Sequence, residues 1–550
     1  MRQISTLQKM RYEYKPKLPS VLQNVKLVKI AKGDNTTSVS HSGKLKEMFP
    51  NTFGLPIINF EVGKKNNNEL INVAVILSGG QAPGGHNVIA GLYDSLKELN
   101  SENKLFGFLG GPSGLVDNEY VEISKDYVDK FRNTGGFDII GSGRTKLETE
   151  KQFKEVLVNL KELKISALVV IGGDDSNTNA GILAEYYAKN KSGIQVIGVP
   201  KTIDGDLKND MIETSFGFDT ATSVYSELIG NLQRDANSAK KYWHFIKLMG
   251  RSASHIALEC GLQTQANITL ISEEVENKKM SLQDIVEYIS DVIVKRSNAG
   301  KDFGDVLIPE GLIEFIPDIK KLIATINDLL EENKDEFENI KNAEKKRKFV
   351  LSKLENELEK TYEMLPKDIA YQMIMERDPH GNVQVSLIET EKLLVELVRN
   401  RLEDLKKEGK YIGKFSTRNH FFGYEGRCAS PTNFDADYTY SLGYSATCLI
   451  ASKVTGYMVS IRNLSLENSE WLPGGVPLTS MMNIERRKGE DKPVIQKALV
   501  ELDGKPFLEL AKNRTKWELE NDYIYPGPIQ YFGPSEIVDR KTKTILLEKT

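Results

Sequence analysis

Three short stretches combine glycines, carboxylates and a cation in a way that suits phosphate chemistry. In Pro200-Lys201-Thr202-Ile203-Asp204-Gly205-Asp206 an amine, a hydroxyl and two carboxylates fall within seven residues. Phosphoryl transfer needs alignment, charge neutralisation and an acceptor for the proton of the attacking hydroxyl. Lys201 can meet negative charge on a transferring phosphoryl group, and one aspartate can take the proton. In Gly172-Gly173-Asp174-Asp175-Ser176-Asn177 two carboxylates are adjacent. Aspartate is favoured at helix starts, so either could be a simple cap. Only one is needed for that, and beside a phosphate the other can hold Mg²⁺, directly or through water. Gly79-Gly80-Gln81-Ala82-Pro83-Gly84-Gly85 would let backbone amides approach an anion at a helix N-terminus. It lacks the Lys-Ser/Thr end of a Walker A loop and the GxGxxG dinucleotide pattern. Taken alone, it is equally a tight βα turn.

These loops act together only if neighbouring strand ends present them side by side. Residues 72–77 (NVAVIL) read as a buried strand, 78–85 as a glycine-rich turn and 86–99 as a helix. Residues 167–171 (ALVVI) read as a second strand, followed by a helix over about 176–189, and 195–199 (QVIGV) run into Pro200. Parallel strands with crossover helices are the economical arrangement, and open α/β sheets bind ligands at the carboxyl ends of their strands. A second block resumes over 245–249, 268–271 and 306–308, which predicts a second α/β domain. Residues 318–410 are charged, helically spaced and almost free of glycine, so an inserted helical hairpin or small bundle with a solvated charged face is expected.

The chain has 550 residues and 40% hydrophobic composition, enough for at least two domains with a sizeable core. Its 73 basic and 77 acidic residues leave a net charge of −4, which argues against a nucleic-acid or membrane-surface partner. Cys260, Cys428 and Cys448 are too scattered for a disulfide framework or a zinc site. No signal-like or membrane-spanning run is apparent, so a cytoplasmic location is expected. None of the six histidines pairs at metal-ligand spacing, and His255 reads as packed on a helix.

With GGDDSN and PKTIDGD followed in order by Met249-Gly250-Arg251, Pro309-Glu310-Gly311 and Tyr424-Glu425-Gly426-Arg427, the sequence resembles the phosphofructokinase family, and within it the long pyrophosphate-dependent kind. The resemblance covers most of residues 71–460. It implies reversible phosphoryl transfer from pyrophosphate to the 1-hydroxyl of fructose 6-phosphate, a step of glycolysis and gluconeogenesis, with Mg²⁺ as cofactor. By position it implies Asp204 as proton acceptor and Asp174, with Asp206, as the metal carboxylates. Thr202, Ile203, Asp204, Met249, Gly250, Arg251, Glu310, Tyr424, Glu425, Gly426 and Arg427 match sugar-phosphate positions. The Tyr424 hydroxyl and the forked Arg427 guanidinium suit a phosphate dianion. Lys241 and Tyr242 match a contact reaching across from a neighbouring subunit, which implies a homodimer.

ATP-using relatives carry glycine where this chain has Asp175 and again where it has Lys201. A carboxylate at 175 would repel an α-phosphate, and Lys201 would supply the charge that the smaller donor lacks. Gly80 and Arg144 are the remaining expected pyrophosphate contacts. Two alternatives are an ATP-dependent enzyme, against which Asp175 and Lys201 argue, and a non-catalytic regulatory subunit, which would not need Asp174, Lys201 and Asp204 intact. The expected architecture is α/β, with two Rossmann-like domains of the phosphofructokinase fold. They comprise 71–245 and 246–317 plus 411–464, with an N-terminal extension over 1–70, the helical insertion and a C-terminal segment, 465–550, packing on the core.

Overall fold

The computed structural model describes residues 6–63, 69–375, 383, 387–487, 490–527, 533–539 and 541–549. In chain order its first strands are β1 (Val28–Asn35), β2 (Pro56–Val62), β3 (Asn72–Leu77), β4 (Lys104–Phe108), β5 (Tyr120–Glu122), β6 (Ala167–Gly172) and β7 (Gln195–Pro200). There follow β8 (Tyr242–Leu248), β9 (Ile268–Thr269), β10 (Phe303–Pro309) and β11 (Thr417–Phe422). The last are β12 (Tyr457–Arg462), β13 (Leu472–Pro477), β14 (Met482–Arg487) and β15 (Glu490–Ile495). The chain divides into two units. One comprises Met1–Val224, Tyr424–Ala498 and Ile529–Thr550, and the other Tyr225–Gly423 and Leu499–Pro528.

The first unit is built on a nine-stranded sheet of order β1-β2-β13-β12-β7-β6-β3-β4-β5. Its centre, from β12 through β7, β6 and β3 to β4, is parallel, and the strands outside it are antiparallel. Strands β3 and β6 are buried along their whole length, as expected where helices cover both faces. On one face, helices Gly85–Leu99 and Asn433–Ala451 lie backbone to backbone. A Cβ on Gly91 would stand 2.3 Å from the Tyr440 carbonyl oxygen, and one on Gly443 2.3 Å from that of Val88, so glycine permits the approach on both sides.

The second unit holds a parallel four-stranded sheet of order β11-β8-β10-β9. The expected insertion is helical, from Pro317–Glu332 to Thr390–Lys407. Its apolar stripe, including Ile319, Leu322 and Ile326, shares one continuous core with Trp243, Phe245, Val306 and Ile308 of the sheet. Lys247 of β8 ties it further, lying 3.4 Å from Glu391 with both side chains buried.

Several sequence-derived boundaries are corrected. Residues from Tyr424 to 464 belong with the first unit because β12 pairs in parallel with β7, Tyr457 opposite Ile197. The 465–550 segment does more than pack on a finished core, because β13 is inserted between β12 and β2. The 1–70 extension supplies β1 and β2 of the same sheet. The first domain's expected end at 245 falls instead at Val224, within helix Phe218–Ala239.

Candidate active site

Register decides what the strand ends bring together. Leu77 lies opposite Ile171, and Gly172 opposite Pro200, so β3, β6 and β7 end almost level. The loops that follow are stitched crosswise. Lys201 N donates to Gly172 O (3.0 Å), Gly79 N to Gly143 O (2.8 Å), and Ser176 Oγ to Ser78 Oγ (2.8 Å). Gly79 turns the chain at φ +83°, a conformation side chains rarely adopt.

Lys201 is buried, and its ammonium donates to the Gly80 carbonyl at 2.7 Å. Burial lowers its pKa to about 8, against the opposing pull of Asp204 and Asp174, while Arg427 and Arg144 add to the lowering. Both arginines also border Gly80. A Cβ there would stand 3.6 Å from Arg427 Nη1 and 3.7 Å from Arg144 Nη2. Arg144 is exposed at the turn joined to Gly79, and Arg427 ends helix Tyr424–Arg427. The Arg427 guanidinium lies over the Tyr424 ring at 4.8 Å, and its buried Nε has no hydrogen-bond partner among the described residues. Tyr424 and Glu425 are exposed, and Gly426 is buried. Three cations therefore converge on one glycine turn, a cradle for a highly charged anion.

The carboxylates of Asp204 and Asp174 also act on Lys201. Helix Asp174–Lys189 is capped at Gly173 without a side-chain bond, so neither aspartate is the cap that the sequence left open. Both occupy the first turn, where the helix dipole favours negative charge. Asp175 is exposed and lies 3.2 Å from Lys146. Asp174 is half-buried, and burial raises its pKa against the attraction of Lys497. In the loop after β7, Thr202 Oγ1 accepts from Asp204 N (3.1 Å), Ile203 is buried, and Gly205 turns at φ +74°. Asp206 is buried and also faces Lys497, whose Nζ is 3.6 Å from Asp174 and 3.5 Å from Asp206. Lys497 follows no motif in the sequence; the backbone bonds of its neighbours to Thr178, Met481 and Asp206 bring it here.

Among the described residues no group of three or more His, Cys, Asp or Glu could hold a metal. Mg²⁺ asks for less, since it commonly takes one or two carboxylates and completes its shell with water and substrate phosphates. Asp174 and Asp206, drawn to a common cation, fit that role.

The remaining predicted residues lie in the second unit. Gly250, at φ +124°, donates its N–H to Glu310 Oε2 (3.0 Å), and Glu310 N donates to Leu248 O (2.9 Å). The buried Glu310 is thus occupied in shaping the Met249-Gly250-Arg251 turn. A Cβ on Gly311 would fall 1.8 Å from Arg251 O. Met249 N donates to Phe422 O (2.9 Å), and Arg251 is exposed. Lys241 lies over the Tyr242 ring at 4.6 Å, with Arg418 also over that ring at 4.1 Å. The histidines that are not spaced as metal ligands in sequence include one spatial pair, His244 Nδ1 and His420 Nε2 at 2.9 Å, with stacked rings.

The family model described as phosphofructokinase matches residues 72–450. The chain is 58% identical over 546 residues to the pyrophosphate–fructose 6-phosphate 1-phosphotransferase of Porphyromonas gingivalis, with 99% of each chain covered. It is 52% identical over 547 residues to the protein of that name from Entamoeba histolytica, covering 99% of this chain and 100% of the relative. The solved pyrophosphate-dependent phosphofructokinase of Marinobacter aquaeolei is similar in fold, with a TM-score of 0.54 at 14% identity over 82% of this chain and 93% of that one.

Proposed function

This chain belongs to the phosphofructokinase family, and we propose that it transfers a phosphoryl group reversibly from pyrophosphate to the 1-hydroxyl of D-fructose 6-phosphate. The products are fructose 1,6-bisphosphate and phosphate, and the chain is a phosphotransferase. The observation that carries the choice of donor is the buried ammonium of Lys201 against the Gly80 carbonyl.

In the forward direction the sugar O1 attacks the nearer phosphorus of pyrophosphate, and the bond from that phosphorus to the bridging oxygen breaks. Asp204 accepts the O1 proton, and the leaving phosphate takes the bridging electrons. Lys201 and Arg144 neutralise charge spread over the transferring and leaving groups, and the burial of Lys201 strengthens its interaction. The carboxylates of Asp174 and Asp206 would hold Mg²⁺, which when bound neutralises phosphate oxygens that the side chains do not reach. Asp175 occupies the turn that the next phosphate of ATP would enter, and its charge opposes that phosphate.

For the acceptor, Thr202, Ile203, Met249, Gly250, Arg251, Glu310 and the Tyr424–Arg427 turn form the proposed sugar-phosphate set. Within it, Glu310 acts by holding the Gly250 amide and so shaping the turn that carries Arg251. We place Lys241 and Tyr242 at a shared site in a homodimer and the enzyme in the cytoplasm. Among the described residues no helix is long and apolar enough to cross a membrane.

The test is formation of fructose 1,6-bisphosphate from fructose 6-phosphate and Mg²⁺ with pyrophosphate or ATP as donor. Turnover with pyrophosphate and almost none with ATP is the expected result. A preference for ATP would overturn the reading of Asp175 and Lys201, and no turnover with either would favour a regulatory chain.

A further inference from the structure

Lys497 lies outside every motif yet reaches the two carboxylates of the proposed metal pair. Its ammonium is 3.6 Å from Asp174 and 3.5 Å from Asp206. The cation thus lies at nearly equal distance from both carboxylates and straddles the pair. Its backbone, by contrast, is firmly placed. Ile495 N donates to Thr178 Oγ1 (2.9 Å), on the helix that begins with Asp174. Gln496 N donates to Met481 O (2.9 Å), and Ala498 N to Asp206 O (2.7 Å). The residues flanking Lys497 are thus tied to the two elements that carry the carboxylates.

We infer that Lys497 is a resident counter-ion for Asp174 and Asp206, one that keeps a bare divalent cation out and lets it in with pyrophosphate. This inference rests on the proposed metal role of that pair. A carboxylate pair with a half-buried ammonium between them has part of its charge already met, and a divalent ion entering alone must displace that ammonium or sit against a like charge. Pyrophosphate would ease the conflict, because its oxygens can bind both a divalent cation and an ammonium. Lys497 is accordingly a positioning residue. It balances the free site and makes metal entry conditional on the donor, and in that way limits occupation of the carboxylates by metal without substrate.

The test is Mn²⁺ binding to the full-length native chain and to Lys497→Met, Lys497→Gln and Lys497→Arg, followed without pyrophosphate by the electron paramagnetic resonance signal of the free ion and, with pyrophosphate, which itself binds Mn²⁺, by the Mn²⁺ retained with the protein on ultrafiltration. It is run without and with pyrophosphate and in the absence of sugar phosphate, so that no transfer occurs. Without pyrophosphate, Lys497→Met and Lys497→Gln are expected to bind Mn²⁺ about tenfold more tightly than the native chain, as loss of one nearby like charge implies. Lys497→Arg, which keeps the charge, should follow the native chain. With pyrophosphate the difference should shrink. Equal Mn²⁺ affinity of the native chain and both neutral variants in the absence of pyrophosphate would overturn the role of Lys497 and leave the metal pair standing. No Mn²⁺ binding by any form even with pyrophosphate would instead overturn the assignment of Asp174 and Asp206. Two neutral variants of different polarity, each checked by its thermal midpoint, separate a folding defect from a change in the site.

Discussion

The Lys201 ammonium donates to the carbonyl oxygen of Gly80 at 2.7 Å, linking the end of β7 to the glycine turn that follows β3. The bond holds a buried charge in place before any anion arrives, and burial lowers the pKa of that charge to about 8. Since kcat/KM reports the free enzyme, pyrophosphate turnover at low donor concentration should fall as pH rises through about 8, where an ordinary lysine would hold its proton to about 10.4. Lys201→Arg keeps its charge and should lose that limb of the profile. Lys201→Met should lower kcat by about 10²–10³. A native profile flat to pH 10 would contradict the assignment.

Asp175→Gly should shift donor preference. The carboxylate is exposed and already paired with Lys146, so its repulsion of ATP is partly screened. We expect kcat/KM for ATP to rise by about ten- to a hundredfold, a gain of roughly 1.4–2.8 kcal/mol, and that for pyrophosphate to fall. Coupled-assay kinetics with both donors read this directly.

Asp204→Asn retains the backbone bond to Thr202 Oγ1, which the main-chain N–H makes. Its kcat should fall by about 10²–10⁴ in both directions, the range for loss of a general base. The KM for pyrophosphate should stay near the native value. A comparable rise in both KM values would point to a structural defect instead.

Gly311→Ala places a methyl 1.8 Å from Arg251 O and must displace the turn that carries Arg251. The KM for fructose 6-phosphate should rise at least about tenfold, with a stability loss of about 1–3 kcal/mol. Gly300→Ala is the control. It sits at φ +75° but meets nothing within 4 Å, so the substitution should cost about 1 kcal/mol and leave the kinetics unchanged.

The parts of this molecule legible in its sequence are those with local causes. Strand β3 occupies the expected residues 72–77, and β6 and β7 each extend one residue beyond expectation. Unbroken apolar runs bounded by glycine or proline carry that signal. Gly80, Asp174, Asp175 and Lys201 stand out in the sequence because each lies just after such a strand. Strand β13 was hidden because its sequence, LPGGVP, is rich in the residues that usually interrupt strands. Its place depends on partners far along the chain, with Gly475 opposite Ile58 and Val459. Lys497 was invisible for the same reason, since the backbone bonds placing it reach Thr178, Met481 and Asp206.

The insertion of β12 and β13 into the middle of the large sheet also has a consequence on the ribosome. Until residues 457–477 have emerged, β7 has no partner on one side and β2 none on another, although both strands were made hundreds of residues earlier. During that interval the nascent chain carries two open strand edges beside an apolar interior, the state in which chains join one another edge to edge. Prematurely terminated products ending before β12 would keep those edges permanently. Such fragments should therefore be found in aggregates or held by chaperones, and yield in a heterologous host should depend more on the speed of synthesis and temperature than on the stability of the finished protein.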